Sequence, residues 1–176
     1  MQLNKALIAS VKQDVVAFAV SEVEKFLEEH PDKIFYAFAF DCNAEYAEVN
    51  LCFNTENDFQ RRLLEYQSGS WADSYQTDEE IRDLKFNTGD WEYQCFSTIY
   101  AVAEDVLNEI QNALPDDDYT AWEKLVQEIV ALFSACLILF KQTETYKRIP
   151  KTADFIAFSI DHDQDVSDIL VSSALS

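Results

Sequence analysis

Asp161, Asp163 and Asp165 alternate at the end of an apolar run in DFIAFSIDHDQDVSD, residues 154–168. Alternating carboxylates are the spacing with which a calcium loop opens. The remainder of such a loop is missing. With Asp161 as the first ligand, the sixth position calls for glycine and holds Val166, and the twelfth calls for glutamate and holds Ser172. A calcium loop also lies between two helices, whereas this run begins as a strand. The simpler reading is electrostatic: carboxylates just past a strand end cap the next helix and sit at its positive end. His162, between two aspartates, has its charged form favoured.

A carboxylate-dependent enzyme would combine Asp161 and Asp163 with Glu92, in a cleft joining the late strand end to the turn at Trp91. No self-sufficient catalytic signature supports it. The chain has no GxxxxGK[ST], GxGxxG, HExxH or GxSxG, and its two glycines are too few for a phosphate cradle. The expectation is no catalytic residue, no cofactor and no metal. The four cysteines, Cys42, Cys52, Cys95 and Cys136, form no CxxC pair and sit among apolar or aromatic neighbours. Only His30 and His162 are there to assist a zinc site. Buried free thiols in a reducing cytoplasm are expected, with a Cys42–Cys52 bridge across a hairpin as the alternative.

The elements that would carry these residues follow from periodicity. At 176 residues, 48% hydrophobic and 14% aromatic, the chain can build one domain with a substantial core. Residues 3–29 read as a helix through Leu7, Val11, Val15, Phe18 and Phe26, ended by Pro31 and Asp32. KIFYAFAFD (33–41) and EYAEVNLCF (45–53) read as two strands of a hairpin. TENDFQRRLLEYQ is a helix with Thr55 as its cap. Residues 68–80 read as a loop, 84–87 as a short strand, and 88–90 as a turn. Helices are expected over about 97–113 and 119–142, separated by Pro115 and the Asp116–Asp118 triplet, whose charges suit a helix start. A basic loop, 141–151, precedes the last strand, DFIAFSI, and a closing helix. The order is α-β-β-α-β-α-α-β-α. This is a single α+β domain over 1–176, with an antiparallel or mixed sheet of about four or more strands packed with helices. The longest apolar run, residues 129–140, is too short for a membrane span, which needs roughly 20 residues. LIASVKQDVVAFAV lacks the uninterrupted apolar core of a signal peptide. A cytoplasmic protein is expected.

Charge is the strongest compositional feature. The formal net charge is −20. From Asp41 to Glu123 there are 20 acidic and 4 basic residues, so that segment holds most of the excess. Such a field repels phosphate backbones, which argues against direct nucleic-acid binding, and attracts basic proteins.

Three segments resemble the bacterial domain-of-unknown-function family 4303: the aromatic strand KIFYAFAFD, FNTGDWEYQ with Trp91 and Glu92, and the late ADFIAFSIDHDQD. The resemblance extends over nearly the whole chain. It implies a compact α+β domain without established enzymatic activity, of a kind that looks like immunity proteins encoded beside polymorphic toxins. It carries over no catalytic residue. Trp91 and Glu92 match the family's Trp-Glu position, where a packed Trp and a Glu at a helix start is the plain structural reading.

Charge and resemblance together point to a protein-binding module whose partner is basic, a candidate toxin neutralised by occlusion. The candidate surface is Trp71, Asp73, Tyr75, Asp78, Glu79, Glu80, Asp83, Asp90, Trp91 and Glu92, with exposed aromatics, Tyr93 among them, as anchors inside an acidic surround. A nucleic-acid mimic and a carboxylate-dependent enzyme are the rival readings. No membrane is involved in any of them.

Overall fold

The computed structural model describes residues 3–70, 72–115 and 119–161. Helix α1 (Lys5–Glu29) starts where the Asn4 side chain accepts from the Leu7 amide, and it buries one stripe, Val11, Val15, Ala19, Val23 and Phe26. Strands β1 (Phe35–Asn43) and β2 (Glu48–Thr55) pair antiparallel from Phe35 opposite Thr55 to Asn43 opposite Glu48. A short 3-10 turn, Ala44–Tyr46, closes the hairpin, with Ala47 left-handed at φ 49°. Helix α2 (Glu56–Ser68) is capped by Thr55, whose hydroxyl accepts from the Asp58 amide. Then come α3 (Asp78–Phe86), β3 (Tyr93–Tyr100), α4 (Glu104–Asn112), α5 (Tyr119–Phe140), α6 (Glu144–Arg148) and β4 (Lys151–Asp161).

The four strands form one sheet in the order β3-β2-β1-β4, with β4 parallel to β1 and the other pairs antiparallel. The fold is α+β on a mixed sheet, as expected. β1 is central, and from Phe35 to Phe40 no side chain is more than 1% exposed. Its side chains divide between two cores. Phe35, Phe38, Phe40 and Cys42 join α1 and α5 on one face. Tyr36, Ala37 and Ala39 join residues of α2, α3 and β4 on the other. An irregularity between Phe35 and Ala37 lets two successive residues, Tyr36 and Ala37, serve the same face. Among the described residues no helix is long and apolar enough to cross a membrane.

Four local expectations are corrected. The short strand at 84–87 is the end of α3, whose start is a capping box: Thr77 accepts from the Glu80 amide and Glu80 accepts from the Thr77 amide. The loop expected over 68–80 therefore ends at Thr77. The third strand is β3, and the helix expected over 97–113 resolves into the second half of β3 followed by α4. The reason is a bulge. Leu51 pairs with Ser97 and Phe53 with Tyr93, so Cys52 alone stands opposite Gln94, Cys95 and Phe96. The inserted residues set Tyr93, Phe96 and Ile99, three apart, against one core, and a spacing of three reads as helix. The basic loop contains α6, and β4 begins at Lys151. The closing helix, the Asp116–Asp118 triplet, His162, Asp163 and Asp165 lie outside the described residues.

Trp91 organises the α2/α3 side. It is 1% exposed, and its indole N–H donates to the Lys85 carbonyl at 2.9 Å. The same carbonyl accepts from the Tyr36 hydroxyl at 2.5 Å, and the Asn54 side-chain amide donates to that hydroxyl at 3.0 Å. Trp91 packs edge-on against Tyr36 and Phe158. Removing it empties a buried volume and takes one of two donors from the Lys85 carbonyl. Trp91→Ala is expected to lower unfolding free energy by about 3–5 kcal/mol, measured by urea denaturation. Unchanged stability would refute the core role.

Candidate functional site

The expected binding surface divides into an exposed part and a structural part. Asp73, Asp78, Glu79 and Glu80 are exposed on the approach to α3 and its first turn. Glu80 is occupied as the capping-box residue, accepting from the Gln76 and Thr77 amides and the Thr77 hydroxyl. Its pKa is lowered first by the Thr77 backbone bond, then by the Thr77 side-chain bond. Asp83 and Tyr75 are half-buried, with Tyr75 stacked on Tyr66 at 5.2 Å and its backbone left-handed at φ 58°. Asp90 accepts from the Tyr66 hydroxyl at 2.5 Å and from the Asn87 amide at 2.7 Å. Glu92 is exposed and pairs with Arg61 at 2.7 Å, not at a helix start.

The aromatic anchors are corrected. Trp91 is core, and Tyr93 is half-buried against Phe26, at 5.1 Å between centroids. Trp71 lies outside the described residues. Sequence alone did not separate these cases, since an aromatic beside acids is equally a surface anchor or the edge of a core.

The four cations of the acidic segment are spent inside it. Arg61 pairs with Asp58, Glu65 and Glu92, Arg62 with Glu65, Arg82 with Asp83, and Lys85 with Glu56. Asp73, Asp78, Glu79, Glu104 and Glu109 make no ion pair among the described residues.

The structure also brings together a polar cleft of about 420 Å³. It lies between the ends of β1 and β4 and the turn at residues 87–89. Asp41, Glu48, Asn50, Thr88, Cys95 and Asp161 are among its walls, and no Lys, Arg or His is among the described residues lining it. The Asp161 Oδ1 accepts from the Ala44 amide at 2.9 Å, holding the end of the β1–β2 hairpin, and the helix it was expected to cap lies outside the described residues. The Thr88 hydroxyl donates to Asp41 Oδ2 at 2.7 Å. The cleft joins the late strand end to the turn before Trp91, but Glu92 is not part of it, and Asp41 supplies the carboxylate there instead.

Beside the cleft the bulge places Cys95 over Cys52, and the Cys95 amide donates to Cys52 Sγ at 3.2 Å. Both sulfurs and an Asp41 oxygen lie within 4.8 Å of one another. All four cysteines are free thiols, as expected, but only Cys42, Cys52 and Cys136 are buried; the bulge carries Cys95 to an exposed position, which corrects the expectation of four buried thiols. Cys42 cannot bridge to Cys52 because the two belong to opposite faces of the sheet.

Compared with known proteins, residues 15–176 match a family model described as Domain of unknown function (DUF4303). The chain belongs to that family. No curated protein and no solved structure matches it. For this member of DUF4303, the site residues most visible in the fold are those that sequence reading passed over, Asp41 and Cys95. No local motif marks them, because their neighbours come from separate strands.

The thiols of this DUF4303 chain differ sharply. The Cys52 S–H donates to the Cys95 sulfur and holds the Cys95 thiol below its ordinary range, against burial and the charges of Asp41 and Glu48. Cys52 is pushed up by the same bond and by burial. Burial pushes Cys42 up and moves Cys136 to about 11. A lowered pKa means thiolate at lower pH. In chelator, iodoacetamide is therefore expected to alkylate Cys95 first, with a midpoint below that of an ordinary thiol. Cys52→Ala should raise that midpoint. Mass-spectrometric site counting against pH checks both, and an ordinary midpoint at Cys95 would contradict the arrangement.

Proposed function

We propose that the protein is an acidic binding module, an immunity-type inhibitor that occludes a basic protein such as a nuclease toxin in the cytoplasm. The observation that carries this reading is the consumption of Arg61, Arg62, Arg82 and Lys85 in ion pairs within the 41–123 segment. It leaves Asp73, Asp78 and Glu79 as an exposed surplus of negative charge. A surplus of one sign steers a partner of the other and raises the association rate. Family membership is compatible with such a role and assigns none.

Occlusion is favoured over nucleic-acid mimicry. A mimic needs acids in uninterrupted rows with phosphate spacing, whereas the acids of α2 are interleaved with Arg61 and Arg62. The acids before and at the start of α3 form a compact patch in sequence, suited to a local basic site.

The test is co-purification of the tagged protein with the product of the neighbouring gene at low and high salt. A complex is expected at low salt and is expected to weaken as salt rises. The triple substitution Asp73→Lys, Asp78→Lys, Glu79→Lys spares the capping box and should slow association at least about tenfold with little change in dissociation. Absence of a complex at both salts, or a complex indifferent to charge reversal, would sink the proposal.

A further inference from the structure

Cys52, Cys95 and Asp41 stand on three adjacent strands and turn their donor atoms to one point beside the cleft. We propose that they form a metal site for a zinc-class divalent cation, with two thiolates and one carboxylate oxygen as ligands and a fourth position open to the cleft. This goes beyond the acidic binding surface and does not rest on it.

Five observations converge. The donors lie within 4.8 Å of one another. Tetrahedral zinc, with Zn–S about 2.3 Å and Zn–O about 2.0–2.2 Å, needs them roughly 3.5–3.8 Å apart. That contraction is within reach of side-chain rotation, because Cys95 is exposed. Two of the donors already carry outer hydrogen bonds of the kind that orient metal ligands. The Cys95 amide donates to Cys52 Sγ at 3.2 Å, and the Thr88 hydroxyl donates to Asp41 Oδ2 at 2.7 Å.

The backbone supplies the third observation. Cys95 sits at φ 46° within the bulge, a left-handed conformation that glycine adopts without strain. A cysteine held there accepts strain in exchange for placing a sulfur over Cys52. The fourth is electrostatic: Glu48 and Asp161 add carboxylates to the cleft, and no cationic side chain among the described residues lines it. The fifth is donor chemistry. Thiolates select zinc-like ions over calcium or magnesium, and three protein ligands with one open position is the arrangement of a zinc site that takes a water or substrate. On binding, the metal replaces the thiol protons, which pass to solvent.

The test is Co²⁺ titration of the full-length protein, reduced and with its four thiols counted. The expected result is a near-ultraviolet sulfur-to-cobalt charge-transfer band with the visible bands of tetrahedral cobalt. One ion should bind per chain and be displaced by Zn²⁺. Cys95→Ser, at an exposed position that leaves the core intact, should abolish most of the band. Asp41→Asn should weaken affinity at least about tenfold. Cys136→Ser, on the opposite face, should change nothing, and circular dichroism checks that each variant is folded. The proposal is overturned by a fully reduced protein that gives no charge-transfer band. It is equally overturned if the band survives in both Cys95→Ser and Asp41→Asn, or if Cys52 and Cys95 are joined in a disulfide and bind no ion after reduction.

Discussion

Strand β1 lies between β2 and β4 and beneath two layers of side chains, so every one of its backbone groups must be satisfied within the sheet and every side chain must fit one of two cores. That double burial is why Phe35–Phe40 is almost wholly aromatic and alanine. Phe35, Phe38 and Phe40 fill the thick core under α1 and α5. The small Ala37 and Ala39 leave room on the other face for Trp91, Phe158 and Phe59. The rest of the architecture is arranged around this strand. The hairpin to β2 is local and antiparallel, and β4 reaches β1 in parallel only after the long path through α4, α5 and α6.

The same strand positions the cleft. Asp41 is the point at which β1 leaves the core, and it points to the side where Ala37 and Ala39 lie. It therefore faces the turn at residues 87–89, and Thr88 fastens it there. Asp161, at the corresponding end of β4, ties the adjacent hairpin end through Ala44. Carboxylates gather at this end because three strands terminate or bulge there, and polar groups can reach water only where the sheet stops being covered. The bulge in β3 adds Cys95 to the group. One irregularity thus widens the strand, spoils its apparent period and sets a thiol over a buried partner.

The acidic charge obeys a different logic. The acids of α2 and α3 complement helix starts, as with Thr55/Asp58 and Thr77/Glu80, or neutralise the few nearby cations. Local structure absorbs those groups first. What remains outside, chiefly Asp73, Asp78 and Glu79, gives the segment its long-range field. Surface pairs of this kind contribute little to stability, so the surplus bears on solubility and encounter with partners rather than on the fold.

Much of the architecture was legible in the residues. Regular apolar periods identified α1, the β1–β2 hairpin, α2, α5 and β4, because each buries a face whose spacing its own geometry imposes. The charge excess and its position were also readable, since they depend on composition alone. The start of α3 was written in Thr77 and Glu80 but overshadowed by the apolar Leu84 and Phe86. β3 was not legible, because a bulge adds residues to one strand without a partner in the other, and only pairing reveals it. The grouping of Asp41, Cys52 and Cys95 was beyond sequence for a stronger reason. These residues are 11 and 43 positions apart along the chain, and what makes them neighbours is the register of three strands, which tertiary packing alone decides.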